Sequence, residues 1–291
     1  MIELNGLTKI YQKNVRGMLD ISLRIERGEI FGFIGPNGAG KSTTVRTLLN
    51  LIYPTSGTAT IDGKDIVKDA KAIRRQVGYI PSEVHFYASM DVQSFLDFSG
   101  RFYGRDFQAR QRELVALLDL DVTRKIDALS FGNKKKVAIV AALQHAPKVL
   151  ILDEPTSGLD PLHQHAFFDL LLAEKAQGTT IFFSSHILSE VEKICDRVGV
   201  IKNGELIQVS PIETLRKSTV KRVSLIVKEP FESRSKRIKD LIIDGDKVSF
   251  VYTGPITQLL KIVDAQAIHD VTIENPSLEE IFMHVYERGT A

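Results

Sequence analysis

The segment Gly35–Ser42, GPNGAGKS, has the composition of a loop that binds phosphate. A phosphate needs several N–H donors in a tight concave turn, which glycines permit, and the helix that follows adds its positive end. In such a loop Lys41 reaches the β- and γ-phosphates of a nucleotide, Ser42 offers its hydroxyl to Mg²⁺, and Thr43 adds a donor near the α-phosphate. The predicted phosphate contacts are Gly35, Pro36, Asn37, Gly38, Ala39, Gly40, Lys41, Ser42 and Thr43.

Two carboxylates end a fully apolar segment. Asp153 and Glu154 follow Val149–Leu152, which has the pattern of a buried strand. We predict that Asp153 binds Mg²⁺ directly or through water. Glu154 is predicted to polarise an attacking water as a general base, a contribution of roughly 10²–10⁴-fold. The alternative is a solvated acidic turn before Pro155, which would explain neither the apolar strand nor the phosphate loop.

The stretch Leu129–Asp160 carries a second signature. It begins with a Ser-x-Gly turn at a predicted helix start, where Ser130 is a suitable N-cap, and it ends in LILDEPTSGLD. Many nucleotide hydrolases have a phosphate loop, but far fewer add LSFGN and LILDEPTSGLD in this order. The combination resembles the ATPase subunit of ABC transporters, which implies ATP and Mg²⁺ as the bound groups.

The resemblance implies that the LSFGN turn closes the ATP site of a second subunit, with Ser130 and Gly132 nearest the nucleotide. The usual family pattern is LSGGQ, so Phe131 and Asn133 are departures, and we expect them to bear on ATP affinity and dimer strength but not on the assignment. An ordinary helix cap is the alternative for this segment alone. We expect the basic run Lys134–Lys136 to be a solvated face.

Three further positions match the family. His186 follows a predicted strand and corresponds to the histidine that contacts the γ-phosphate. Asp160 belongs to the SGLD loop through which the two subunits communicate, and with Pro161 it is also a good helix start. Tyr11 stands where the family stacks an aromatic ring on adenine, although nothing local distinguishes it from a core or surface tyrosine.

Ser82 is the sharpest departure. The family usually has a glutamine after the strand that VGYIP represents here, and that glutamine senses Mg²⁺ and the membrane subunit. Serine is shorter and is expected to reach the metal only through water, with Glu83 as a partial substitute. We therefore predict weaker metal-dependent coupling or a rearranged loop.

Alternating strands and helices predict a mostly parallel sheet in an α/β fold. By resemblance this is a P-loop NTPase (RecA-like) ABC nucleotide-binding domain over residues 1–217, with an antiparallel β subdomain and a helical subdomain at about 83–145. A basic linker is expected at Leu215–Arg222, and a small α+β domain over residues 218–291. The predicted strands are Leu19–Glu26, IFGFI, Val77–Pro81, Val149–Asp153, Thr179–Ser184, Arg197–Lys202, VSLIV, the hairpin LIID-GD-KVSFVY and HDVTIE. The predicted helices are Lys41–Leu51, the block Asp91–Leu120, Leu162–Ala176, Ile187–Cys195, Ile256–Val263 and one that starts at Ser277 with a capping box to Glu280.

Composition limits the location and the partners. A net charge of +2 gives no strong attraction to nucleic acid, and none is expected as a partner. The single cysteine, Cys195, excludes an internal disulfide and suits a reducing compartment. We expect neither a signal peptide nor a membrane-spanning segment. The predicted location is the cytoplasmic face of the plasma membrane, as a peripheral protein bound to a separate integral membrane permease and to a second ATPase subunit, identical or different.

The tail, including Asn275–Phe282, resembles the extension of ABC-2 type exporter ATPases, the bacitracin-resistance group among them. An amphipathic helix that closes a small domain is the alternative. The expected function is therefore ATP hydrolysis that powers an exporter of a drug, antibiotic peptide or similar compound. A soluble ABC ATPase acting on ribosomes or DNA, and an importer subunit, are the alternatives.

Overall fold

The chain is described here from a computed structural model. The structure describes residues 1–12, 15–87, 89–104, 106–216, 220–231, 235–264 and 266–274. The chain divides into two compact units, Met1–Ser210 and Pro211–Ala291. The boundary between the units therefore lies seven residues before the one we expected, after residue 217. A short helix, Ile212–Arg216, belongs to the second unit.

The first unit alternates strands with helices. Its strands are β1 (Ile2–Ile10), β2 (Arg16–Ile25), β3 (Ile30–Ile34), β4 (Ser56–Ile61), β5 (Lys64–Asp65), β6 (Val77–Ile80), β7 (Val149–Asp153), β8 (Thr180–Ser185), β9 (Arg197–Lys202) and β10 (Glu205–Pro211). Its helices are α1 (Lys41–Leu48), α2 (Ala70–Arg74), α3 (Val92–Arg101), α4 (Gln108–Leu117), α5 (Phe131–Leu143), α6 (Pro161–Ala176) and α7 (Leu188–Ile194).

A six-stranded sheet in the order β10-β9-β3-β8-β7-β6 forms the centre of this unit. The pairs β9/β3, β3/β8, β8/β7 and β7/β6 are all parallel, which confirms the prediction of a mostly parallel sheet. Every residue of β3, β7 and β8 is buried. Strands that are buried along their whole length are typical of a parallel sheet that is covered on both faces.

A second, antiparallel sheet has the order β2-β1-β4-β5. The predicted alternation in β2 holds for Ile21, Leu23 and Ile25, which are buried, but it fails before them. Asp20 has a left-handed φ of 47°, and the register of β1 against β2 shifts between Leu7 and Lys9. This bulge moves Met18, rather than a residue in the predicted alternation, into the core.

The helix after the phosphate loop ends earlier than predicted, at Leu48 rather than Leu51. Asn50 adopts a left-handed φ of 51°, and the Leu51 N–H donates to the Arg46 carbonyl at 2.9 Å. This pattern is a Schellman C-cap, in which asparagine can replace the usual glycine.

The helical block predicted over Asp91–Leu120 is two helices, α3 and α4. Asp91 caps α3 by accepting a hydrogen bond of 2.8 Å from the Ser94 N–H. Of the apolar residues that repeat at helical spacing in this block, Val92 and Leu96 are buried, whereas Phe102 lies beyond the helix end and is exposed. The ring of Tyr103 stacks on that of His145, with 3.4 Å between centroids.

The described part of the second unit is a four-stranded antiparallel sheet with two helices, and it contains the predicted hairpin around Gly245. The predicted linker Leu215–Arg222 overlaps the end of a short helix, Ile212–Arg216, and the start of a strand at Val220, and Leu215 is buried. The predicted helix start at Ser277, its capping box to Glu280 and the tail Asn275–Phe282 lie outside the described residues. The described elements of the second unit are α8 (Ile212–Arg216), β11 (Val220–Val227), β12 (Ile238–Asp244), β13 (Lys247–Thr253), α9 (Ile256–Asp264) and β14 (Ile268–Glu274). The strand order in its sheet is β12-β13-β11-β14.

Within the described ranges, no helix has both the length and the apolar character that crossing a bilayer requires.

Candidate functional site

The site is built where three parallel strands end side by side. Ile34, the last residue of β3, pairs with Ser185 of β8, and Asp153, the last residue of β7, pairs with Ser184. Because the carboxyl ends of parallel strands meet at one edge of a sheet, the segments after β3, β7 and β8 converge there. They are the phosphate loop, the Asp153-Glu154 pair and the turn that carries His186.

Close backbone approaches require glycine in the phosphate loop. A Cβ at Gly35 would clash with the Ile201 carbonyl oxygen. Gly40 has a left-handed φ of 108°, and a Cβ there would clash with the Gly17 carbonyl oxygen. Around Gly38, by contrast, the space on the side of a Cβ is open. The loop is thus packed tightly on the protein side and open where N–H groups would meet a phosphate.

Lys41 is buried at the start of α1, and its ammonium is held by the loop itself. Its Nζ donates to the Gly35 carbonyl at 2.7 Å and to the Pro36 carbonyl at 3.2 Å. The same Nζ lies 3.3 Å from Oε1 of Glu154. One lysine therefore joins the phosphate loop to the acid that follows β7.

Asp153 is fully buried, so the alternative of a solvated acidic turn is wrong for this residue. Its Oδ1 accepts a hydrogen bond of 2.7 Å from the Ser184 hydroxyl, whereas its Oδ2 is buried without a hydrogen-bond partner. An unpaired buried carboxylate oxygen is costly, and it is a suitable ligand for a hard cation. No described group of three or more His, Cys, Asp or Glu side chains could hold a metal alone. This fits Mg²⁺, which is usually bound by one or two protein ligands together with phosphate oxygens and water.

Glu154 adopts a left-handed φ of 48°, a conformation that costs a non-glycine residue on the order of 1–2 kcal/mol. Its N–H donates to the Ser184 carbonyl at 3.1 Å. Its carboxylate lies between two cationic or polar groups, with Oε1 near Lys41 and Oε2 3.1 Å from Nδ1 of His186. Backbone strain at a residue with such contacts is typical of functional sites.

Tyr11 lies beside the phosphate loop. Its hydroxyl is 3.3 Å from Oγ1 of Thr43, and Nζ of Lys9 lies 5.5 Å from the centre of its ring. The absence of a side chain at Gly17 leaves room for this approach, since a Cβ there would lie 2.8 Å from both Tyr11 and Thr43.

A single pocket brings together Tyr11, the phosphate loop and Glu154. Sequence reasoning missed three residues of its wall, Val15, Arg16 and Gly17, which lie around the start of β2 and belong to no motif. Among the described residues, its wall includes neither Ser130, Gly132 nor Asp160. Its wall consists of Tyr11, Val15, Arg16, Gly17, Asn37, Gly38, Gly40, Lys41, Ser42, Thr43 and Glu154.

The LSFGN turn begins α5 as predicted, with the Asn133 N–H donating to the Ser130 hydroxyl at 3.3 Å. The turn is in contact with the SGLD loop of the same chain. The Phe131 ring covers the Cα of Gly158, where any Cβ would clash with it. A Cβ at Gly132 would lie 2.6 Å from the Gly158 carbonyl oxygen. Glycine at 158, with a φ of 82°, is thus what allows phenylalanine at 131.

Asp160 begins α6, with Pro161 as the first helical residue, as predicted. Its Oδ1 accepts from the His163 N–H at 3.0 Å, and its Oδ2 lies 2.6 Å from Nδ1 of His163. These hydrogen bonds from His163 lower the pKa of Asp160. On the other side of the ring, Nε2 lies 2.7 Å from Nζ of Lys136. Because an ammonium only donates, Nε2 accepts and Nδ1–H donates to Asp160.

The prediction of a solvated face at Lys134–Lys136 is wrong, since Lys135 and Lys136 are buried. Nζ of Lys135 donates to the carbonyls of Pro81 at 2.9 Å, Ser82 at 3.0 Å and Glu154 at 3.3 Å. Burial lowers the pKa of Lys135 to about 8, although the charges of Asp153 and Glu154 act in the opposite direction. A run of three lysines gives no sequence signal that separates the two buried members from the half-buried one.

Ser82 follows β6 and is half-buried, with its backbone carbonyl bound by Lys135. The adjacent Glu83 is exposed, and its Oε2 lies 3.7 Å from Nε2 of His85. Its side chain thus interacts with a neighbouring loop residue. This arrangement gives no support to the expectation that Glu83 substitutes for the glutamine of the family pattern.

A loop of this kind between a buried parallel strand and a helix, opposed by two carboxylates, defines a nucleotide hydrolase of the P-loop class. The family model for ABC transporters matches residues 18–157. The bacitracin transport ATP-binding protein BcrA of Bacillus licheniformis is 33% identical over 100% of this chain and 98% of its own length. The linearmycin resistance ATP-binding protein LnrL of Bacillus subtilis is 30% identical over 99% of both chains.

Solved structures of ATP-binding cassettes have the same fold as this chain. One described as the ATP-binding subunit of an ABC transporter has a TM-score of 0.71 and 31% identity, over 75% of this chain and 92% of that one. A dimeric cassette in a post-hydrolysis state with ADP and Pi shares the fold, with a TM-score of 0.68 and 24% identity over 73% of this chain and 99% of that one. The chain belongs to the ATP-binding, ATP-hydrolysing subunits of ABC transporters.

The buried lysine makes a prediction about stability. The pKa of Lys135 is about 8 in the folded chain and about 10.5 when unfolded. Between these values the unfolded chain binds more protons, so the free energy of unfolding contributed by Lys135 rises with pH. Urea denaturation from pH 8 to 10.5 should show the wild type gaining stability relative to Lys135→Met. A difference that stays constant or shrinks over this range would contradict the prediction.

Proposed function

We propose that Glu154 is the general base that activates water for attack on the γ-phosphate of ATP. The observation that carries this proposal is the position of its carboxylate, between Lys41 of the phosphate loop and His186. Lys41 would bind the β- and γ-phosphates, and His186 would contact the γ-phosphate and orient Glu154. Catalysis of phosphoryl transfer depends mostly on such positioning and on charge stabilisation.

Mg²⁺ would be held by the hydroxyl of Ser42 and by Asp153, with Ser82 reaching it through water. The free Oδ2 of Asp153 supports this assignment, and the Ser184 hydroxyl bound to Oδ1 would orient the carboxylate. When bound, the ion would neutralise charge on the β- and γ-phosphates. Tyr11 would stack on adenine, and Thr43 would donate near the α-phosphate.

Replacing the base tests the first proposal. Glu154→Gln should keep the affinity for Mg²⁺–ATP and lower kcat by roughly 10²–10⁴-fold, because the amide cannot accept the proton from water. Equilibrium binding of ATP and steady-state phosphate release measure the two quantities. Normal turnover in this variant would contradict the assignment of the base.

The departure at Ser82 predicts a changed response to metal. Ser82→Gln should shift the Mg²⁺ dependence of ATP hydrolysis to lower concentrations, since the longer amide can reach the ion directly. Titrations of Mg²⁺ at a fixed ATP concentration compare Ser82→Gln with the wild type, and Glu83→Gln serves as the neighbouring control. Superimposable titration curves for Ser82→Gln and the wild type would count against a role for residue 82 at the metal.

We further propose that two ATPase subunits sandwich ATP between the phosphate loop of one and the LSFGN turn of the other. Ser130, Gly132 and Asp160 lie outside the pocket wall of their own chain, which supports their use toward a second subunit. The positive end of α5, capped by Ser130, suits a γ-phosphate. The second subunit is identical or different.

The proposed transport function is export of a drug, antibiotic peptide or similar compound. Full-length similarity to ATPases named for bacitracin transport and linearmycin resistance supports it. A separate integral membrane permease would hold the chain at the cytoplasmic face of the plasma membrane. The alternative of a soluble ABC ATPase is disfavoured, since such proteins commonly carry two ATPase units, coiled-coil insertions or metal-binding cysteines.

An aromatic patch formed by Tyr87, Phe98 and Phe102 is the proposed permease contact. All three are exposed, and their rings meet edge to face, with centroids 6.1 Å apart for Tyr87–Phe98 and 5.0 Å apart for Phe98–Phe102. Exposed apolar clusters of this kind mark interaction sites. They lie on and beside α3, in the helical part of the first unit.

Affinity capture tests the permease. Tagged Glu154→Gln, recovered from detergent-solubilised cells with ATP and Mg²⁺, should retain one integral membrane protein in stoichiometric yield. Adding Phe98→Ser and Phe102→Ser should abolish that recovery and leave ATP affinity unchanged, whereas Tyr53→Ser, at another exposed aromatic residue, should not. Ribosomal proteins or DNA-repair factors in place of a membrane protein would favour the soluble ATPase.

A further inference from the structure

Lys135 joins three parts of the first unit at one buried point. The residue lies on α5, shortly after the LSFGN turn. The carbonyl oxygens that it binds come from Pro81 and Ser82, which follow β6, and from Glu154, which follows β7. An ammonium has three N–H donors, and here each donor has a carbonyl acceptor. All three N–H donors of the ammonium are therefore bound to backbone carbonyls of the site.

The bond to the Glu154 carbonyl completes the fixation of a strained residue. The Glu154 N–H is held by the Ser184 carbonyl at 3.1 Å, and its own carbonyl is held by Lys135. With both backbone polar groups bound, the left-handed φ of 48° is maintained. That backbone conformation determines where the side chain points, which is toward Lys41 and His186.

Burying a lysine at this place is not explained by packing alone. An ammonium loses hydration on burial, and here three carbonyl acceptors, which an apolar side chain would leave without this donor, compensate for that loss. The nearby carboxylates of Asp153 and Glu154 offset part of that loss. The adjacent Lys134 is only half-buried, which makes it a suitable matched control.

We infer that Lys135 is a positioning residue for ATP hydrolysis, holding Glu154 in its productive backbone conformation and tying the Ser82 turn to the helix that begins at Ser130. It acts through the backbone carbonyls of Pro81, Ser82 and Glu154. Through this lysine, a displacement of α5 is transmitted to the Glu154 carbonyl. The inference rests on the proposed role of Glu154 as the base.

Two substitutions separate positioning from packing. Lys135→Met keeps an unbranched side chain that is one atom shorter and removes every donor. It should lower kcat about tenfold or more while the Kd for ATP stays within about twofold, because only orientation of the base is lost. Lys135→Gln keeps an amide donor and should lower kcat by only about threefold. Lys134→Met should match the wild type. Thermal melting identifies variants that are folded at the assay temperature.

A double-mutant cycle with Glu154→Gln tests whether Lys135 acts on turnover through Glu154. If Lys135 acts through Glu154, Lys135→Met or Lys135→Gln should cause little further loss of turnover in the Glu154→Gln background. A wild-type kcat in either folded Lys135 variant would overturn the inference. So would equal losses in Met and Gln variants that add to the loss from Glu154→Gln. Failure of the base assignment itself is separate, since Glu154→Gln alone would then keep its turnover.

Discussion

The site depends on the register of three parallel strands. Asp153 is paired with Ser184, and Ile34 with Ser185, so the phosphate loop, the acidic pair and the His186 turn leave the sheet at the same level. A slip of one residue in β7 would turn Asp153 to the opposite face. Such a slip would also break the buried hydrogen bond of 2.7 Å from the Ser184 hydroxyl to Oδ1 of Asp153, which therefore favours the observed register. Strand pairing in the sheet thus determines the chemistry at its edge.

Around this edge the chain links its functional segments by buried polar contacts. Lys41 joins the phosphate loop to Glu154, and Lys135 joins Glu154 to the Ser82 turn and to α5. Lys136 reaches Asp160 through His163, and Phe131 covers Gly158. The LSFGN turn and the SGLD loop are therefore in contact within one subunit. One of the two departures from LSGGQ fits this arrangement, because the Phe131 ring occupies the space above Gly158.

Much of the site could be predicted because its signals are local. The strand ending in Asp153, the cap at Ser130 and the helix start at Asp160 each follow from neighbouring residues. Lys135 and Lys136 could not be predicted, because their burial depends on carbonyl acceptors and a histidine from distant segments. The bulge at Asp20 was missed for a similar reason: the alternation around it looks regular, and only the pairing with β1 breaks it. The early end of α1 at Leu48 depends on the left-handed conformation of Asn50, which the helical pattern around it does not signal.

The most direct test is a crystal structure of the wild-type chain with Mg²⁺ and a non-hydrolysable ATP analogue. We expect Nζ of Lys41 to leave Glu154 for the β- and γ-phosphates, and the ion to lie between the Ser42 hydroxyl and Oδ2 of Asp153, directly or through water. The Glu154 carboxylate should then face the γ-phosphate with its backbone still left-handed. Phosphates bound outside Gly35–Ser42, or an ion with no contact to Asp153, would contradict this assignment.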